Sequence, residues 1–235
     1  NDLLYTVEKN DLITFDIKGT FDYDDATEVF NQLNALRKSL GLKTLIMDKE
    51  LMDVAMQRAA EISIYYSHTR PNGENCFTLF PSGNTTMAEN IAAGQGSATD
   101  AMNSWKNSPG HYKNMTLENI DAVGVGCFYQ DGISYWVQVF SGGRSTVTDN
   151  RSGKVEKKAT ISALGSNLNI GIKSSSTDVG VNMQQLFELC NANKTFSNVT
   201  TRIIPYVYSS SDTSLARVDA NGMITGVKAG DAWIT

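Results

Sequence analysis

Two strand-like runs on either side of a tight turn limit this chain more than any other feature. Val123-Gly124-Val125-Gly126-Cys127-Phe128-Tyr129 and Ile133-Ser134-Tyr135-Trp136-Val137-Gln138-Val139-Phe140 flank Gln130-Asp131-Gly132. β-branched and aromatic side chains fit a pleated surface, and Asp-Gly tolerates the positive φ of a short turn, so the segment predicts an antiparallel hairpin. A sheet of this kind must bury a face against another layer, and the residues before it change to a helical period. Val29, Phe30, Leu33 and Leu36 recur at helix spacing within 25–37, with Asp25 placed to cap the start and Gly41 past the end. From Asp48 a second helix carries Leu51, Val54, Ala55, Ala59, Ile62 and Tyr66 on one stripe, with Asp53, Gln57, Arg58 and Glu61 opposite. Ala98 to Ser108 predicts a third, with Ala101, Met102 and Trp105 as its apolar face and Pro109-Gly110 as its stop. A short strand over Leu12–Ile17 and a helical turn over 75–80 complete an α+β layered domain.

The composition changes at Ser141-Gly142-Gly143. We divide the chain into an N-terminal strand segment (1–20), a domain over 21–143, a polar linker over 144–156 and a second domain over 157–235. Beyond 157 only Met183–Leu189 keeps a helical spacing. Short strands are expected over 202–208, 215–218, 223–227 and 232–235, separated by turns such as Asp219-Ala220-Asn221-Gly222, which predicts a β-sandwich. The last run ends inside a strand pattern, so further chain is expected after Thr235.

A formal net charge of −5 argues against a nucleic-acid surface. No apolar stretch approaches the roughly 20 residues of a membrane span, and Asn1-Asp2-Leu3-Leu4 has neither the basic region nor the apolar core of a signal peptide. Three cysteines are too few for a disulfide scaffold; Cys76 and Cys127 are either a pair or two small buried side chains. Both histidines of the chain, His68 and His111, lie between Ser67 and Met115, so any imidazole chemistry is confined to that stretch.

Residues about 21–141 resemble the CAP superfamily, in its bacterial SCP-like extracellular branch. The residues that carry the resemblance are Asn34-Ala35-Leu36-Arg37, Arg58-Ala59-Ala60-Glu61, Ser67-His68-Thr69-Arg70-Pro71-Asn72-Gly73, Ala88-Glu89-Asn90-Ile91, Trp105-Lys106-Asn107-Ser108-Pro109-Gly110-His111 and Tyr135-Trp136-Val137-Gln138. Residues about 155–235 resemble a group 2 bacterial Ig-like domain, through Ser209–Ala216, Val218-Asp219-Ala220-Asn221-Gly222 and Ile224–Gly230. The resemblance implies an α-β-α sandwich followed by an all-β sandwich, and a protein that is secreted or held at the cell surface. It also implies a central cleft lined in eukaryotic members by two His and two Glu, where the histidines can hold a divalent metal. His68, Glu89 and His111 match three of the four; Ser108 stands where the second acid would be.

Three chemistries suit that set. His68 and His111, with Glu89, would hold a divalent cation such as zinc with an open position for water. Without metal, Glu89 would orient an imidazole for general acid–base work at neutral pH, in a peptidase-like hydrolase. The reading we expect is a binding module without catalysis, a monomer that takes a cell-wall fragment, a peptide or a small polar molecule. Ser67, Arg70, Asn90 and Ser108 are its expected cleft contacts.

Overall fold

A computed structural model describes residues 10–173, 178–196, 199–205 and 207–235. They fall into two compact units, one over Lys18–Ala159 and one joining the segment that ends at Ile17 to Thr160–Thr235. The elements run β1 (Leu12–Asp22), α1 (Tyr23–Ser39), β2 (Ile46–Met47), α2 (Lys49–Ile64), β3 (Thr86–Ala93), α3 (Ala98–Lys106), α4 (Pro109–Met115), β4 (Ala122–Gln130), β5 (Ile133–Gly142) and β6 (Lys154–Leu164). The short strands β7 (Ile170–Lys173), β8 (Gln184–Leu186), β9 (Glu188–Ala192), β10 (Thr200–Ile203), β11 (Ala216–Val218) and β12 (Met223–Gly226) follow.

The expected hairpin is β4–β5. Gln130 pairs with Ile133, and Asp131 (φ 48°) and Gly132 (φ 79°) make the two-residue turn that matches the twist of the strands. It forms the middle of a sheet in the order β3-β5-β4-β1-β6, with β2 added parallel to β4. Alternation along β4 decides what covers each face. Gly124 and Gly126 face α2 so closely that a Cβ would stand 2.0 Å from Leu51 O and 2.0 Å from Ala55 O. Tyr129, of the opposite parity, sends its hydroxyl to Asp25 of α1 at 2.7 Å. Gln138 of β5, opposite Val125, meets Met102 of α3 on that same side. The sheet is thus sandwiched, with α2 on one face and α1 and α3 on the other.

The helix limits depart from the sequence reading in two places. β1 runs on to Asp22, so Asp22 rather than Asp25 caps α1, accepting from the amides of Asp24 and Asp25. Pro109 does not end α3, which stops at Lys106; it opens α4, where its missing N–H costs nothing. His111 therefore sits in the first turn of a helix rather than just after a turn.

Residues 144–156, expected to be a linker, are tied to the first unit. Val147 pairs with the amide of Lys49 and with Asp48, Asp149 N donates to Met47 O, and Gly153 exchanges bonds with Tyr23 and Asp24. Arg144 reaches the buried carboxylate of Asp48, which also caps α2.

In the second unit, β10-β9-β7 and β11-β12-β8 form two three-stranded antiparallel sheets. Leu12–Ile17 belongs here, where Asp16 and Ile204 exchange backbone hydrogen bonds. Within Met183–Leu189 the chain forms strands β8 and β9 rather than a helix, Leu186 pairing with Met223 and Leu189 with Ile172 and Ile203. Tyr206, within the strand expected over 202–208, and the expected segment before Asn10 lie outside the described residues. Cys76, Cys127 and Cys190 are buried thiols, none in a disulfide. No described helix is long and apolar enough to cross a membrane.

Candidate functional site

β3 forms the outer edge of the sheet and holds the centre of the site. Glu89 lies opposite Val139 and Asn90 opposite Gln138, so these two neighbours point to opposite faces. Glu89 turns toward α2 and Asn90 toward α3 and α4. The edge is closed by side chains rather than by another strand: Asn114 donates to Glu89 O at 3.2 Å, and Trp105 Nε1 to Ile91 O at 3.2 Å.

On the α2 side, Glu89 is the hub of a buried charge network. Arg58 Nε donates to its Oε2 at 2.8 Å and Arg58 Nη2 to its Oε1 at 3.2 Å. Arg58 Nη1 reaches Glu61 at 2.7 Å, and Nη2 also caps Ser67 O at 2.6 Å. Glu61 in turn takes Arg70 at 2.9 Å, and Arg70 reaches Glu74 at 2.6 Å. The sequence reading put Arg58 and Glu61 on a polar face away from the stripe. Both are buried, because that face meets the charges of β3 and of the loop after α2 instead of water.

His68 completes the hub. Its Nδ1 lies 2.8 Å from Glu89 Oε1, while the ring is 55% exposed and the carboxylate 1%. A carboxylate that accepts two bonds from a guanidinium has no hydrogen to give, so the proton of this contact sits on Nδ1. A neutral His68 then presents Nε2 as an open acceptor, the arrangement in which a second group fixes the tautomer of a working imidazole. Burial pushes the Glu89 carboxyl up, but the bonds from His68 and Arg58 outweigh it and leave the group below its usual range.

A hairpin between His68 and Cys76 shapes the exposed rim. Arg70 N donates to Glu74 O, Gly73 N to Arg70 O, and Gly73 takes φ 89°, as the Pro71-Asn72-Gly73 sequence predicts. Cys76 N then donates to His68 O at 3.1 Å, and Cys76 is brought beside His68 and Glu89. Sequence reasoning left Cys76 out of the site. The register of that turn, which sets Thr69 against Asn75, is the signal that would have found it.

His111 approaches from α4. Asn90 donates to His111 O at 3.1 Å and to Gln138 Oε1 at 3.0 Å, and accepts from Asn114 at 2.9 Å. Burial, then the charge of His68, lowers the His111 imidazole below its ordinary 6.5. The expected ligand contacts fare differently. Arg70 is held by Glu61 and Glu74, and Asn90 is fully buried. Ser67 Oγ accepts from Thr69 N at 3.0 Å, and Ser108 begins α4 without a side-chain cap bond.

His68, Cys76 and Glu89 place ligand atoms within 4.8 Å of one another. They fit a divalent ion poorly. The thiol is pushed up to about 12 by burial and by the Glu89 charge, whereas a metal ligand must be thiolate, and Glu89 already carries the positive charge of Arg58. The two imidazoles are the donors whose chemistry suits such an ion.

The profile of the cysteine-rich secretory protein family, CAP, matches residues 30–140, and that of the group 2 bacterial Ig-like domain matches 173–235. The chain carries a CAP domain. An Ig-like domain follows it. Protein YkwD of Bacillus subtilis is 32% identical over 142 residues, 58% of this chain and 54% of its own, so the chain spans about half the length of that relative. Among solved structures, an extracellular SCP-domain protein of Bacillus anthracis is 28% identical, with a TM-score of 0.45 over 50% of this chain and 40% of its own. An outer surface protein of Borrelia burgdorferi is 23% identical, with a TM-score of 0.47 over 51% of this chain and 93% of its own. The CAP domain lies within the first compact unit, and His68, Glu89 and His111 all fall inside the matched residues.

Proposed function

We propose that the chain is part of a secreted or cell-surface protein whose CAP cleft binds a small polar molecule, a peptide or a cell-wall fragment. The Ig-like domain then serves as spacer or adhesion unit. The observation that carries this reading is the state of Glu89: both of its oxygens are taken by Arg58 and His68. Among the described residues, no carboxyl beside the imidazoles is left to act as general acid, and Ser108 offers none. Ser67 accepts a backbone bond and has no base directed at it. What the cleft offers a ligand is His68 Nε2 and the His111 ring. Titration with solubilised wall fragments and with peptide libraries, followed by the imidazole proton signals, tests it. Saturable shifts at His68 and His111 without turnover are expected. Turnover abolished by His111→Ala would reverse the assignment.

The second reading, a hydrolase, draws on the 2.8 Å contact between His68 and Glu89, which has the form of a base and its orienting group. With no activated side-chain nucleophile, water would attack, and His68 Nε2 would take its proton. A divalent ion such as zinc would be held by the two imidazoles and would supply a more acidic bound water.

A further inference from the structure

We propose that Arg58 is the resident cation of the Glu89 cluster. By holding both oxygens of Glu89 it closes the space between His68 Nδ1, Cys76 Sγ and the Glu89 carboxylate to metal ions, leaves His68 Nε2 outside that space, and gives Glu89 one task, to fix the proton of His68 on Nδ1. This is independent of the ligand the cleft takes.

Three groups of metal-binding type converge within 4.8 Å, in the set that zinc and cadmium favour. The same carboxylate meets a guanidinium at 2.8 and 3.2 Å, in a side chain with no exposed surface. A divalent ion at Glu89 would stand within a few ångströms of that fixed positive charge, in surroundings where water screens little. It would also have to remove the Cys76 proton and take His68 Nδ1 from the carboxylate. Arg58 cannot withdraw to make room, since its remaining donors hold Glu61 and the carbonyl of Ser67, the residue before His68. Its fork thus joins the ionic network to the backbone that positions the imidazole. A lysine, with one point of charge, could not meet both carboxylates and this carbonyl with the same geometry. Arg58 is therefore a positioning residue that acts through Glu89 on His68.

The test needs no substrate. The chain with Cys127→Ser and Cys190→Ser, so that Cys76 is its one thiol, is titrated with cadmium, and the ultraviolet charge-transfer band of a cadmium–thiolate bond is followed. No band is expected while Arg58 is present; a saturating band that Cys76→Ser removes would overturn the proposal. Arg58→Gln is expected to open the cluster and give the band, and a folded Arg58→Gln chain that gives none would also overturn it. Should Arg58→Gln or the cysteine background not fold, nitrogen-15 spectra of the unsubstituted chain decide. At a pH where His68 is neutral, a protonated Nδ1 is expected, its signal unchanged by added cadmium. The opposite tautomer, or a cadmium-dependent shift of Nδ1, would refute it.

Discussion

His68 Nδ1 and Glu89 Oε1 stand 2.8 Å apart, the ring half in solvent and the carboxylate sealed beneath it. The exposed partner is aimed by a buried one, and the buried one is held by Arg58. Everything the cleft can do with the His68 imidazole passes through this chain of contacts.

Removing the charge of Glu89 should therefore cost more than the loss of a surface pair. In Glu89→Gln, Arg58 keeps Glu61 but loses its principal partner inside the protein. Breaking a buried pair in this way costs about 3–5 kcal/mol, to be read from urea denaturation of the variant. A loss near the roughly 0–1 kcal/mol of an exposed pair would show that water reaches the network.

Gly126 tests how the helix carrying Arg58 is seated. A Cβ there would lie 2.0 Å from Ala55 O, a backbone atom that cannot turn aside. Gly126→Ala is expected to lift α2 from the sheet, at about 1–3 kcal/mol or more. Lower thermal stability should come with a shifted His68 ring signal, since α2 leads into that residue. Gly132→Asn, in the exposed turn where a Cβ meets nothing within 4 Å, is the control and should leave the ring signal in place.

Acid should weaken the domain in two steps. His111 is held below 6.5 by burial and by His68, so between its folded value and 6.5 the unfolded chain binds the extra proton. Its contribution is present above pH 6.5 and is lost as pH falls through that window. Glu89, below 4.5 in the fold, adds a second loss at lower pH. Denaturation measured from about pH 7.5 to 5.5, on either side of the ordinary imidazole value, should show a decline on acidification, and His111→Gln should flatten it.

Asn90 joins α4 to the sheet. Asn90→Ala leaves Gln138 Oε1 and His111 O without the donor that holds them, while Asn114 keeps its bond to Glu89 O. Leaving buried polar groups unsatisfied costs about 1–3 kcal/mol each. Faster amide exchange in α4, with α2 unchanged, is the expected result.

Much of the fold was legible because local patterns decide local structure. The Asp131-Gly132 turn, the stripe on α2, the Pro71-Asn72-Gly73 turn and the motifs around His68, Glu89 and His111 all depend on residues near one another in the chain. Helical periodicity also told which face of α2 was polar. It could not tell whether that face met water or other charges; the charges of Glu89 and Arg70 are what bury Arg58 and Glu61. Cys76 entered the site through hairpin register, and Asn90 became a strut because strand parity turned it from its neighbour Glu89. The sequence by itself determined the β4–β5 hairpin, the apolar stripe of α2 and which side chains carry an imidazole or a carboxylate. The tertiary structure decided which of those residues are spent on one another, because burial and pairing depend on groups brought together from distant parts of the chain.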